Sequence, residues 1–262
     1  MTPAPRLLAS VADLEEARLA LDLGADILDL KDPRLGALGA WPVEAVREAV
    51  LALGGRRPLS ATIGDLPMEP LPIHAAAAAM ALTGVDIVKV GFFGTAPDRA
   101  VACAAALAPL AAAGTRLVAV VMADQRPDLA LLPVLAGQGF LGAMLDTADK
   151  SRGGLLTHLD LAALGRFVAT ARAQGLLTGL AGSLGLADIA PLAALAPDYL
   201  GFRGALCHGD RTQGLAADRF RIIRAALAAT GAGTDEAAWP LAPAALRPIG
   251  PRPAAGRANS VR

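Results

Sequence analysis

A chain of 262 residues, 54% hydrophobic but only 3% aromatic, is long enough for one large α/β domain with a core of Ala, Leu, Val and Ile. Formal charges cancel and no basic run is dense, which argues against nucleic acid or an anionic membrane as the main partner. Cys103 and Cys207 form neither a disulfide framework nor a metal-ligand spacing, so the expectation is no metal and a reducing, cytoplasmic setting.

Short β-type runs alternate with longer Ala/Leu-rich helical runs from the N-terminus onward. The apolar stretch before Asp13, Glu15 and Glu16 is too short for a signal peptide. A first run at 7–11 leads into a helix over 12–23. The second, DILDLK at 26–31, sets Asp29 and Lys31 two residues apart, hence on one face of a strand, before a helix over 43–53. A third run at 59–64 ends in Thr62, Gly64 and Asp65, which either line a cavity or cap the helix that follows over 72–83; His74 reads there as a cap or surface residue. The fourth run, 86–92, carries Lys89 and precedes a helix over 97–113. Part of that segment, 100–115, is the most membrane-like stretch of the chain. It is shorter than a membrane span and broken by Pro109, so it reads as a buried helix of a soluble protein.

Runs at 117–123 and 142–148 flank a helix over 128–137. Asp146 closes the second of these runs and Lys150 follows in its loop. A helix over 160–174 begins at Asp160, with His158 beside its N-cap. The last two runs are 177–183, ending in Gly182-Ser183, and 199–205, which reaches Arg203-Gly204 and is followed by His208, Gly209, Asp210 and Arg211. Helices over 186–195 and 215–229 complete the count. Eight strands alternating with eight helices indicate a single-domain (β/α)8 TIM barrel over 1–229. A doubly wound open sheet is the competitor, but neither GxGxxG after the first strand nor GxxxxGK[ST] occurs. Residues 230–262, with five prolines, four arginines and little periodicity, read as a low-complexity C-terminal tail.

A weak repeat supports the barrel. Gly24-Ala25-Asp26, Gly84-Val85-Asp86 and Ala196-Pro197-Asp198 each read as a helix end followed by the start of a strand. Counted from the aspartate, Asp29, Lys89 and Gly201 fall at plus three, and Lys31, Gly91 and Arg203 at plus five. Those positions share a face, assigned here to the barrel axis.

Of 24 basic residues only three are lysines, and Lys31, Lys89 and Lys150 all stand at strand ends or just beyond, where barrels of this type hold their active sites. Arginine stays protonated, whereas a lysine amine is neutralised by burial or by a neighbouring cation. A neutral amine attacks a carbonyl to form an imine, and the protonated imine acidifies the adjacent carbon. Asp29 and Asp146 would orient the amines and shuttle protons. Phosphate in such barrels binds at the loops after strands 7 and 8, here Gly182, Ser183, Arg203, Gly204 and Arg211. These residues point to carbonyl chemistry on a phosphorylated sugar and leave open which lysine bonds to substrate.

The phrases DLKDPRLGALGA (29–40), SATIGD (60–65), VKVGFFG (88–94), AMLDTADK (143–150), LAGS (180–183) and FRGALCHGDR (202–211) together resemble the (5-formylfuran-3-yl)methyl phosphate synthases, or 4-(hydroxymethyl)-2-furancarboxaldehyde-phosphate synthases, of methanofuran biosynthesis. The resemblance covers residues 7 to 225 and implies a carbon–oxygen lyase on a (β/α)8 barrel. It would join two molecules of glyceraldehyde 3-phosphate with loss of phosphate and water, and would need no cofactor. It further implies Lys31 as the Schiff-base lysine, Lys89 as the proton acceptor, and Asp29, Asp146 and Lys150 beside them. The expected partners are triose phosphates, and the sequence leaves open whether the barrel forms a homo-oligomer. The alternatives are another Schiff-base aldolase, a sugar-phosphate isomerase, or a non-catalytic barrel that binds phosphorylated metabolites.

Overall fold

The apolar runs are buried on both faces, as a parallel sheet with helices outside and packed side chains inside requires. A computed structural model describes residues 3–94 and 96–231. Its eight strands are β1 (Arg6–Val11), β2 (Ile27–Leu30), β3 (Leu59–Thr62), β4 (Ile87–Phe92), β5 (Leu117–Met122), β6 (Gly142–Asp146), β7 (Leu177–Leu180) and β8 (Tyr199–Phe202). All pair in parallel with their sequence neighbours, and β8 returns to β1, with Arg6 opposite Tyr199 and Ala9 opposite Phe202. The (β/α)8 barrel is therefore closed, and no edge strand is left unpaired.

Among the described residues the outer layer holds α1 (Leu14–Asp22), α2 (Val43–Leu53), α3 (Pro70–Ala81), α4 (Pro97–Ala112), α5 (Leu131–Gly137), α6 (Leu155–His158), α7 (Leu161–Ala173), α8 (Ile189–Ala193) and α9 (Ala217–Ala228). The one-turn α6 was not expected, and α8 is shorter than the 186–195 pattern because a 3-10 turn at Leu186–Asp188 takes its first residues. Helix α4 runs on through Pro109. That proline lies on the exposed face, where water can serve the carbonyl left without its N–H, so the ring does not end the helix. The helix is buried on one side only, through Cys103, Ala104 and Leu107. His74 is neither a cap nor free on the surface. It lies inside α3, and its Nδ1 is 2.8 Å from the Ala106 carbonyl of α4.

Two cores follow from strand alternation. One lies between sheet and helices, and includes Leu7, Leu28, Val90, Leu145 and Leu200 against Val46, Leu107, Leu164 and Ile223. The other fills the barrel and holds Leu8, Ile27, Leu38, Val118, Val120, Met144 and Tyr199. With few aromatics, stability rests on many aliphatic side chains at roughly 1.5–3 kcal/mol each when fully buried. The tail expected at 230–262 lies outside the described residues from 232 onward. Among the described residues no helix is long and apolar enough to cross a membrane.

Candidate active site

The inner core stops short of the C-terminal strand ends, and the space above it is polar. Register explains why: Ser10 is level with Asp29, Asp29 with Ser60, Thr62 with Lys89, and Met122 with Asp146. Inward positions of β1, β2, β3, β4 and β6 thus change from aliphatic to polar at about one height. Above them lies a cavity of about 430 Å3. Asp29, Lys31, Lys89, Asp146 and Lys150 line its floor, and Gly182, Ser183, Arg203, Gly204 and Arg211 its wall on the β7–β8 side.

The floor is an alternating chain of charges. Lys89 Nζ lies 3.0 Å from Asp29 Oδ1, and Lys31 Nζ lies 3.9 Å from Asp29 Oδ2 and 3.4 Å from Asp146 Oδ2. Lys150 Nζ pairs with Asp146 Oδ1 and donates to Thr147 Oγ1 at 3.0 Å. Asp29 is fixed from two neighbouring strands, accepting from Ser60 Oγ at 2.6 Å and Ser10 Oγ at 3.1 Å. Asp146 accepts the Thr147 N–H at 2.7 Å. Lys31 stands between both carboxylates and shares them with the other two amines.

Burial and charge set the proton affinities. For Asp29, burial alone would raise the pKa, but the Lys89 and Lys31 charges and the Ser60 hydroxyl outweigh it and hold the carboxyl below its usual range. Burial likewise opposes Lys150 and Lys31 at Asp146, and the two cations again prevail. Desolvation pushes the Lys89 amine down, against the pull of Asp29 and with help from Lys31. Lys89 is 2% exposed, and its ammonium, although close to Asp29, lies off any hydrogen-bonding direction. Lys150 is also lowered by burial, with Asp146 opposing and Lys31 and Arg211 adding to it.

The opposite wall presents backbone N–H groups. Gly182 and Ser183 both have positive φ, 113° and 51°. At Gly182 a Cβ would come within 3.0 Å of Thr147 Cγ2, so the turn is closed to larger residues. The N–H groups of Ser183, Leu184, Gly204 and Ala205 find no acceptor among the described residues. Arg203 does not fit the phosphate role expected of its side chain. Its five N–H donors reach Arg211 O at 2.7 Å, Ser10 O at 3.3 Å, Gln213 O at 2.9 Å and both oxygens of Glu16, so none is left for a ligand. Arg211 is different: it touches Gly36 O at 3.0 Å and otherwise faces the cavity.

Several supporting contacts escaped the sequence reading. Asp124 accepts Ala148 N at 2.8 Å and Asp149 N at 2.9 Å, and so fixes the loop that carries Lys150. Asp65 neither lines the cavity nor caps a helix. It accepts Ala37 N at 2.8 Å and Leu38 N at 2.7 Å, and folds the 31–42 segment over the β3–β5 side of the barrel mouth, where Leu38 joins the inner core. Thr62 donates to Gly39 O at 3.3 Å in the same segment. No local pattern signals these contacts, because each partner is 23 or more residues away. His208 is exposed, 3.8 Å from Asp218, and apart from the floor. Among the described residues no three His, Cys, Asp or Glu side chains gather as metal ligands would.

A sequence profile of the family described as 4-HFC-P synthase matches residues 7–224, which span the whole barrel. The chain belongs to this family. A Methanopyrus kandleri (5-formylfuran-3-yl)methyl phosphate synthase is 36% identical over 231 residues, covering 84% of this chain and 96% of its own length. The synthase of the same name from Methanothermobacter thermautotrophicus is 38% identical over 220 residues, 79% and 92% of the two chains. A Methylorubrum extorquens protein provisionally given that name is 48% identical over 222 residues, 84% and 90% of the two. Among solved structures, phosphoribosyl anthranilate isomerase from Thermus thermophilus superposes with a TM-score of 0.59 at 19% identity, covering 86% of this chain and 98% of that one. That likeness concerns the fold alone. As a member of the 4-HFC-P synthase family, the chain is an enzyme of synthase type.

Proposed function

We infer that the chain makes (5-formylfuran-3-yl)methyl phosphate from two molecules of glyceraldehyde 3-phosphate, as a carbon–oxygen lyase working through a lysine imine. The observation that carries this reading is the floor itself: three amines alternate with two carboxylates beneath a cavity with a phosphate-type wall. An amine held between two carboxylates suits imine formation. An ammonium cannot attack, so Lys31 first passes a proton to one of these carboxylates; the free amine then adds to the carbonyl, and the carbinolamine regains that proton at oxygen and loses one at nitrogen before water leaves. Lys31 has Asp146 at 3.4 Å and Asp29 at 3.9 Å for that traffic.

Once the imine exists, a base must take the proton from the adjacent carbon. Lys89 suits the task, because burial lowers its proton affinity. The resulting enamine carbon attacks the second aldehyde. Lys150, ion-paired to Asp146 and lining the same cavity, would give a proton to the departing hydroxyl or phosphate oxygens. The unpaired N–H groups at Ser183, Leu184, Gly204 and Ala205, with Arg211, suit a phosphate monoester.

Purified protein incubated with glyceraldehyde 3-phosphate tests the reading. The expected result is release of inorganic phosphate together with a furan-type ultraviolet absorbance. Lys31→Arg and Lys89→Arg keep the charge but not the amine, and each should cut turnover by two or more orders of magnitude. Turnover that survives both changes would sink the lysine mechanism, whereas phosphate binding with no turnover in the unaltered protein would leave a barrel that merely binds phosphates.

A further inference from the structure

Arg203 and Glu16 form a buried pair that does more than neutralise charge. Glu16, in the first turn of α1, accepts from Arg203 through both oxygens, and also from Ala12 N at 2.7 Å and Leu215 N at 3.3 Å. Arg203 in turn donates to the Arg211 and Gln213 carbonyls. The segment between them is a loop closed at its neck, where Cys207 bridges Leu215 and Ala216 N donates to Leu206 O at 2.8 Å. Asp210 tightens its tip by accepting Thr212 N at 2.7 Å. With the Arg211 carbonyl tied to Arg203, the Arg211 side chain leaves toward the cavity. One N–H is set by Gly36 O, and among the described residues no carboxylate lies within ion-pairing distance. Asp146 and Asp65 act on it only from beyond that distance, so a half-buried guanidinium is left with room for a directly paired anion.

We propose that Glu16 and Arg203 are a positioning pair that holds Arg211 at the cavity wall, where its guanidinium meets the phosphate group of the substrate. The proposal deepens the phosphosugar reading above and rests on it for the identity of the anion. It makes Arg203 a strut inside the loop and Arg211 the side chain that reads the ligand, although both arginines stand in one short motif.

Calorimetric titration of the full chain with inorganic phosphate tests this, using Arg203→Lys, Arg211→Met and the double variant. Lysine keeps the charge opposite Glu16 but cannot span Glu16 and three carbonyls at once. Each single variant should bind phosphate about tenfold more weakly, the usual loss for one charged hydrogen bond. The double variant should be no weaker than Arg211→Met alone, because Arg203 acts only through Arg211. A purely structural role would instead multiply the two losses. If Arg203→Lys fails to fold, Glu16→Asp takes its place, with the same weakening and the same non-additivity expected. The proposal is overturned by a wild type that does not bind phosphate, by a single variant that binds as wild type does, or by multiplicative losses in the double variant. Product formation by the wild type judges the functional reading separately: furan product alongside any of those results discards the positioning pair alone.

Discussion

A fully buried lysine is expensive to keep charged, even beside a carboxylate. Lys89 is such a residue, and its lowered proton affinity gives a pH test. If the neutral amine is the base, kcat/KM rises with pH through an apparent pKa below the ordinary lysine value of about 10.4. Lys89→Arg should remove that limb together with the activity. The carboxylates act in the opposite sense. Asp29 and Asp146 are held below the usual carboxyl range, so their stabilisation is complete above pH of about 4 and drains away as the pH falls. Acid titration followed by circular dichroism should show it. Asp146→Asn, which strands two cations, should cost about 3 kcal/mol or more in denaturant unfolding and flatten the acid dependence.

At the scale of elements, two devices recur at opposite ends of the barrel. At the bottom, the aspartate of the sequence repeat ties its strand to the one before: Asp26 accepts Leu7 N, Asp86 accepts Leu59 N and Asp198 accepts Thr178 N. At the top, Asp65 pins the segment after β2, and Asp124 pins the segment after β6. Asp65→Ala would orphan two N–H groups and free Leu38 from the inner core. The expected loss is about 2–4 kcal/mol of stability with a collapse of turnover, read by thermal melting and product assay. Strand order and the inward face were legible in the sequence, because period-two alternation fixes which side chains share a face, and Lys150 was legible only from its place just past a strand end. The repeat was legible too, but not its purpose, since an aspartate at a strand start looks the same whether it ends a helix or bonds a neighbour. Arg203 misled for a related reason. A guanidinium beside a glycine in the β8 loop suggests an anion site, and only the distant Glu16 shows it to be engaged elsewhere. The pinning acids, Asp65 and Asp124, leave no local trace at all.

For the whole molecule, closure of β8 on β1 and packing of α9 complete the barrel within residues 6–228. The central claim concerns one covalent bond. Reduction of the protein with borohydride in the presence of glyceraldehyde 3-phosphate, followed by peptide mass mapping, measures it directly. The account predicts one triose phosphate adduct, carried by Lys31. An adduct on Lys89 or Lys150 instead, or steady turnover with no trapped lysine, would contradict it.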